Sequence, residues 1–95
     1  MPPLPAHEID DRLRARPGWE RIGDDIVRTF ELPTFLQAIA FVNRIAAIAE
    51  RSDHHPDLDI RYRRVRVGLT THDEGGISPL DFEVAAAIDQ ALSES

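Results

Sequence analysis

An α+β two-layer domain, a four-stranded antiparallel sheet carrying three helices on one face in the order αββαββα, is what this sequence predicts. Three observations carry that expectation. Two pairs of short segments alternate apolar and polar residues; a long helical apolar run separates the pairs; and a helix-start signature opens the last segment. At 95 residues the chain is expected to be a single domain spanning 1–95, with no second core.

The elements follow in order. From Ala6 to Arg16 the chain is polar, but Ile9 and Leu13 lie four apart, which fits a short, mostly exposed helix stopped by Pro17-Gly18. Trp19 to Ile22 and Ile26 to Leu32 flank Gly23-Asp24-Asp25 and read as a first hairpin. From Pro33 to about Glu50 the helical signal is strongest, with Phe35, Ile39, Val42, Ala46 and Ala49 repeating at threes and fours. Leu36, Ala40, Phe41, Ile45 and Ile48 make the same helix apolar on its other sides, so one covering layer is not enough. A second subunit is the expected further cover, giving a homodimer or homotetramer through the 33–51 helix or a sheet edge.

Beyond the helix, Ile60 and Tyr62 alternate with charged residues, as do Val65, Val67 and Leu69, and the apolar phase flips between the two runs. A hairpin turn at Arg63-Arg64 accounts for the flip, although that pair lacks the Asn-Gly chemistry such turns prefer. Asp73-Glu74-Gly75-Gly76 forms the next loop. Ser78, Pro79 and Asp81 then supply N-cap, N1 proline and N3 acid of a final helix, whose inward face is Leu80, Val84, Ala87, Ile88 and Ala91.

Composition narrows the function. Eleven basic residues against 17 acidic ones give a net charge of -6, which repels a phosphate backbone and disfavours direct nucleic-acid binding. There is no cysteine, hence no disulfide framework, and a reducing cytoplasmic location is the expectation. The Pro-rich start has no basic n-region with a long apolar core, and no run approaches about 18 apolar residues, so neither a signal peptide nor a membrane span is expected.

Three of the four histidines lie between Glu50 and Asp81, in Asp53-His54-His55-Pro56 and at His72. A residue before proline is pushed out of the α region, so the long helix should end near Asp53-His54. Glu50 and His54 sit four apart, a spacing at which a carboxylate can orient an imidazole on a last helical turn. If the strand end before His72 approaches that helix end, His54, His55 and His72 line one cleft suited to proton transfer.

These residues resemble the pterin-4a-carbinolamine dehydratases, a family that in animals doubles as a dimerisation cofactor for a homeodomain transcription factor. The family pattern is an acid, three residues, His-His-Pro, five residues, an aromatic, nine residues, a His and a later Asp. Glu50, His54-His55-Pro56, Tyr62, His72 and Asp81 meet it. Thr70-Thr71-His72-Asp73 and the Gly18-Trp19 pair are similar as well, so the resemblance spans essentially the whole chain; the Arg63-Arg64 turn departs from it by lacking an Asn. The resemblance implies dehydration of 4a-hydroxytetrahydrobiopterin to quinonoid dihydropterin in tetrahydrobiopterin recycling, a lyase reaction with no cofactor beyond the pterin substrate and no metal. It also implies roles: His54 and His72 as the acid–base pair, His55 catalytic with them and in contact with the pterin, and Glu50, Asp53, Pro56, Trp19 and Asp81 around the substrate, with Glu50 and Asp53 orienting the histidines, Pro56 shaping the turn and Trp19 walling the cleft.

Ordinary structural roles compete with each assignment. A His pair at a helix end favours the negative pole of the dipole; Tyr62 serves as a core or hairpin residue, Asp81 as a capping acid, Trp19 as core. Two other functions compete as well. One is a zinc site on the three histidines, disfavoured because adjacent side chains on an extended segment point apart. The other is a protein-interaction module resting on the apolar helix. His7 receives no role.

Overall fold

The computed structural model describes residues 2–94 and shows α1 (Ala6–Arg14), β1 (Glu20–Ile22), β2 (Asp25–Glu31), α2 (Phe35–Ser52), β3 (Asp57–Arg61), β4 (Arg64–Leu69), a 3-10 turn (His72–Glu74) and α3 (Pro79–Ser93). The four strands form one antiparallel sheet in the order β1-β2-β4-β3. This is the predicted αββαββα arrangement.

Register decides which side chains face the helices. Ile26 pairs with Leu69, Arg28 with Val67 and Phe30 with Val65, while Leu58 and Ile60 of β3 pair with Val67 and Val65. Paired residues share a face, and on this one Ile26, Phe30, Val65, Val67 and Leu69 are buried against Phe41, Ile45, Ile88 and Ile9. Phe30 meets Phe41 edge-on at a centroid distance of 4.9 Å. On the other face, Thr29, Glu31, Asp59, Arg61, Arg64 and Arg66 stay exposed.

Three expectations need correction. The β3–β4 turn is Tyr62-Arg63, since Arg61 pairs with Arg64. Tyr62 takes φ 54°, as a primed two-residue hairpin requires of its first turn residue, and it is an exposed hairpin residue outside the core. On α2 the buried line is Ala38, Phe41, Ile45, Ile48 and Ala49, whereas Phe35 at 54% and Leu36 at 77% exposure face away. A helix apolar nearly all round gives no phase from its own pattern.

Trp19 is the third. It is 5% exposed, packs edge-on to Phe30, and directs Nε1–H to Asp89 at 3.0 Å. Asp89 also accepts from Arg28 at 2.9 Å and Arg16 at 3.2 Å, so it joins α3 to β2 and to the end of α1. Asp89→Ala would leave the buried indole N–H without its acceptor, and a loss of about 1–3 kcal/mol is expected in urea unfolding.

Candidate active site

The histidines are placed by the way α2 stops. Asp53 adopts a left-handed conformation (φ 49°), and the N–H groups of Asp53 and His54 close on Glu50 O and Ala49 O at 3.4 and 3.1 Å, a Schellman termination. The chain then leaves the helix axis before Pro56, so His54 and His55 diverge. His54 turns inward and puts Nε2 2.5 Å from Oδ1 of Asp81; its side chain is 10% exposed and that of Asp81 is 0% exposed. His55 stays outside and pairs Nε2 with Glu50 Oε2 at 2.5 Å.

Glu50 therefore serves His55, not His54, because the left-handed Asp53 breaks the helical spacing that would have joined Glu50 to His54. The orienting acid of His54 is Asp81, twenty-seven positions later. Asp81 also completes the α3 capping box: its Oδ2 accepts from Ser78 N–H at 2.9 Å while Ser78 caps the first turn. Thr71 Oγ1 donates to the same Oδ2 at 2.8 Å and lies 2.7 Å from Ser78 Oγ. Thr71 and Ser78 had no site role on the sequence reading; the only sign was the place of Thr71 in the run ending His72-Asp73.

His72 comes from the loop after β4. Thr71 and Gly76 exchange backbone hydrogen bonds at 3.1 and 3.3 Å around a 3-10 turn, and Gly75 closes it at φ 75°. This small closed loop holds His72 at the surface facing the end of α2. Asp53, His54, His55, Thr70, Thr71, His72 and Asp73 line one cleft of about 220 Å³. A neighbouring hollow of about 280 Å³, reaching Asp24, Asp25 and Gly75-Gly76, shares Thr70 and His72 with it.

The structure thus brings together His54, His55, His72 and Asp53, with Asp81 buried behind and Glu50 at the rim. It does not bring Trp19 or Pro56 into the lining. Trp19 is occupied by Asp89, and Pro56 lies between the cleft and β3. Tyr62 sits at the opposite end of the β3–β4 hairpin. Among the described residues no group of three His, Asp or Glu side chains converges as metal ligands do, and no helix is long and apolar enough to cross a membrane.

Chemically, two of the three imidazoles that line the cleft, His54 and His72, differ in their support. His54 is braced by a buried carboxylate, and His72 is exposed, with no side-chain partner among the described residues. Such a pair can give and take protons on a ligand between them.

Comparison with known proteins gives a consistent picture. The family described as pterin 4 alpha carbinolamine dehydratase matches residues 2–91. A protein of Chloroflexus aurantiacus, provisionally named a pterin-4-alpha-carbinolamine dehydratase, is 53% identical over 92 residues, covering 97% of this chain and 99% of its own. A Brucella melitensis crystal structure, described as a transcriptional coactivator/pterin dehydratase, is 35% identical with a TM-score of 0.90 over 94% of this chain and 97% of its own. A pterin dehydratase-like protein identified as a RuBisCO assembly factor in the α-carboxysome shares the fold, at 19% identity and a TM-score of 0.67 over 81% of this chain and 89% of its own.

Proposed function

Because the chain belongs to the pterin 4 alpha carbinolamine dehydratase family, we propose that its histidine cleft dehydrates 4a-hydroxytetrahydrobiopterin. The product is quinonoid dihydropterin, and the reaction serves tetrahydrobiopterin recycling. The observation that carries the reading is the meeting of His54, His55 and His72 in one cleft. In the reaction the C–O bond at the carbinolamine carbon breaks and a C=N bond forms to the adjacent ring nitrogen. The proton on that nitrogen goes to a base, and the leaving oxygen takes a proton from an acid to depart as water. His54 and His72 are the acid–base pair, and His55, braced by Glu50, contacts the ring. Asp53 borders the substrate, and Asp81 orients His54. This carbon–oxygen lyase step needs no electron acceptor, and the proposal includes no cofactor or metal; the proposed location is the cytoplasm.

The test is the dehydration rate of freshly generated 4a-hydroxytetrahydropterin with chelator-treated protein. Acceleration above the spontaneous rate that survives chelation is expected; no acceleration, or acceleration lost with the chelator, removes the metal-free dehydratase reading.

An exposed apolar face on α2 supports homo-oligomer formation as part of the same proposal. Phe35 and Leu36 project from α2, and Leu58 and Ile60 of the edge strand β3 are more than a third exposed. Covering them with a second copy removes apolar surface from water and closes an unpaired sheet edge. A Phe35→Asp/Leu36→Asp double variant is expected to sediment as a smaller species than the parent. A parent that is monomeric at high concentration would refute the assembly.

A further inference from the structure

We propose that Thr71 and Ser78 are positioning residues that fix the Asp81 carboxylate, which in turn holds His54 in the tautomer protonated on Nε2 and makes Nδ1 the nitrogen that exchanges a proton with the substrate. The catalytic consequence rests on the acid–base reading above; the tautomer does not.

With Asp81 ionised, the hydrogen-bond network beneath His54 admits one arrangement of protons. An ionised carboxylate only accepts, and a threonine hydroxyl has one proton to give. Thr71 Oγ1 gives its proton to Asp81 Oδ2 at 2.8 Å. The 2.7 Å contact between Thr71 Oγ1 and Ser78 Oγ must then use the proton of Ser78. Ser78 Oγ, having donated, accepts from Leu80 N–H at 3.3 Å. Asp81 Oδ2 takes the Ser78 N–H as well, at 2.9 Å, so two donors occupy it. Oδ1 is left for His54 Nε2, and at 2.5 Å that nitrogen must carry the proton.

The other ring nitrogen is located by elimination. Among the described residues no buried side-chain nitrogen or oxygen lacks a partner, and His54 Nδ1 has none. Nδ1 therefore reaches solvent, and the opening that His54 lines is the histidine cleft. A base whose far nitrogen is held by a buried carboxylate has its orientation and tautomer set before substrate arrives, the logic of a catalytic triad. Among the described residues neither other histidine is held so: His55 has only the exposed Glu50, and His72 has no side-chain partner.

Thr71→Val removes the donor while keeping the side-chain shape, and Thr71→Ser restores it. The expected result for the valine variant is a kcat lowered about tenfold, the scale of one hydrogen bond to a charged group, with KM within about twofold. The serine variant should recover most of the rate. In parallel, ¹⁵N NMR of the His54 ring, at a pH where it is neutral, should show Nε2–H in the parent and in Thr71→Val, whose carboxylate still only accepts, with the Nε2–H proton shifted upfield in the valine variant as its bond to Oδ1 loosens. A parent protonated on Nδ1 overturns the proposal. So does a valine variant that loses melting temperature while its Nε2–H proton shift and kcat per folded molecule stay at parental values. A parent with no dehydratase activity but with the Nε2–H tautomer would defeat the functional reading and leave the locked tautomer standing.

Discussion

His54→Ala and His72→Ala are each expected to lower kcat for dehydration by about 10²–10⁴-fold, the usual contribution of a positioned acid or base. The loss is read as excess over the spontaneous reaction, which sets the floor. The two variants should part company in stability. His72 is exposed and its ring has no side-chain partner among the described residues, so its removal should leave stability within about 0.5 kcal/mol of the parent. His54 is 10% exposed and is the partner of Oδ1 on a fully buried carboxylate. Its removal strands that oxygen, and a loss of about 1–3 kcal/mol should accompany the loss of rate. Equal activity in His72→Ala and the parent, measured with saturating substrate, would remove His72 from the acid–base pair and with it the proposed mechanism.

What could be read from sequence divides along the range of the forces involved. Element order follows from local signals, such as the Ser78-Pro79-Asp81 start of α3 and the His55-Pro56 stop after α2, and the structure places both there. Phase and register are less local. The sequence pattern puts the turn at Arg63-Arg64, one position beyond Tyr62-Arg63, because neither Tyr62 nor Arg63 is a usual turn former, and Tyr62 takes its left-handed φ at the demand of the strands on either side. The buried line of α2 is chosen by the sheet beneath it, which the helix's own apolar residues do not encode. Pairing across the site is the least legible. Glu50 was assigned to His54 on helical spacing, yet the left-handed Asp53 ends that spacing one residue too soon. The bond from His54 to Asp81 spans two strands and a loop, and the capping box already accounted for Asp81 completely.

That double duty makes Asp81 the most sensitive position outside the histidines, and two substitutions separate its tasks. Asp81→Ala deletes the acceptor of three donors at once: Thr71 Oγ1–H, Ser78 N–H and the His54 ring. Leaving buried donors without an acceptor costs about 1–3 kcal/mol each, together a large part of the roughly 5–15 kcal/mol that holds a domain together. The alanine variant is therefore expected to unfold at much lower urea concentration or to be recovered poorly. Asp81→Asn keeps the volume, but its amide has only one oxygen. Two donors, Thr71 and Ser78, sit on the Oδ2 side, so the amide oxygen is drawn there and its NH₂ faces His54. Nε2 must then accept, which drives the imidazole proton to Nδ1 and reverses the donor–acceptor character of the nitrogen that faces the substrate. The asparagine variant should fold within about 2 kcal/mol of the parent yet lose about 10²-fold or more in kcat. Urea unfolding and steady-state rates on the same preparations check both halves. An asparagine variant as active as the parent would show that the charge and tautomer at His54 are irrelevant to the reaction, leaving Asp81 as a helix cap alone.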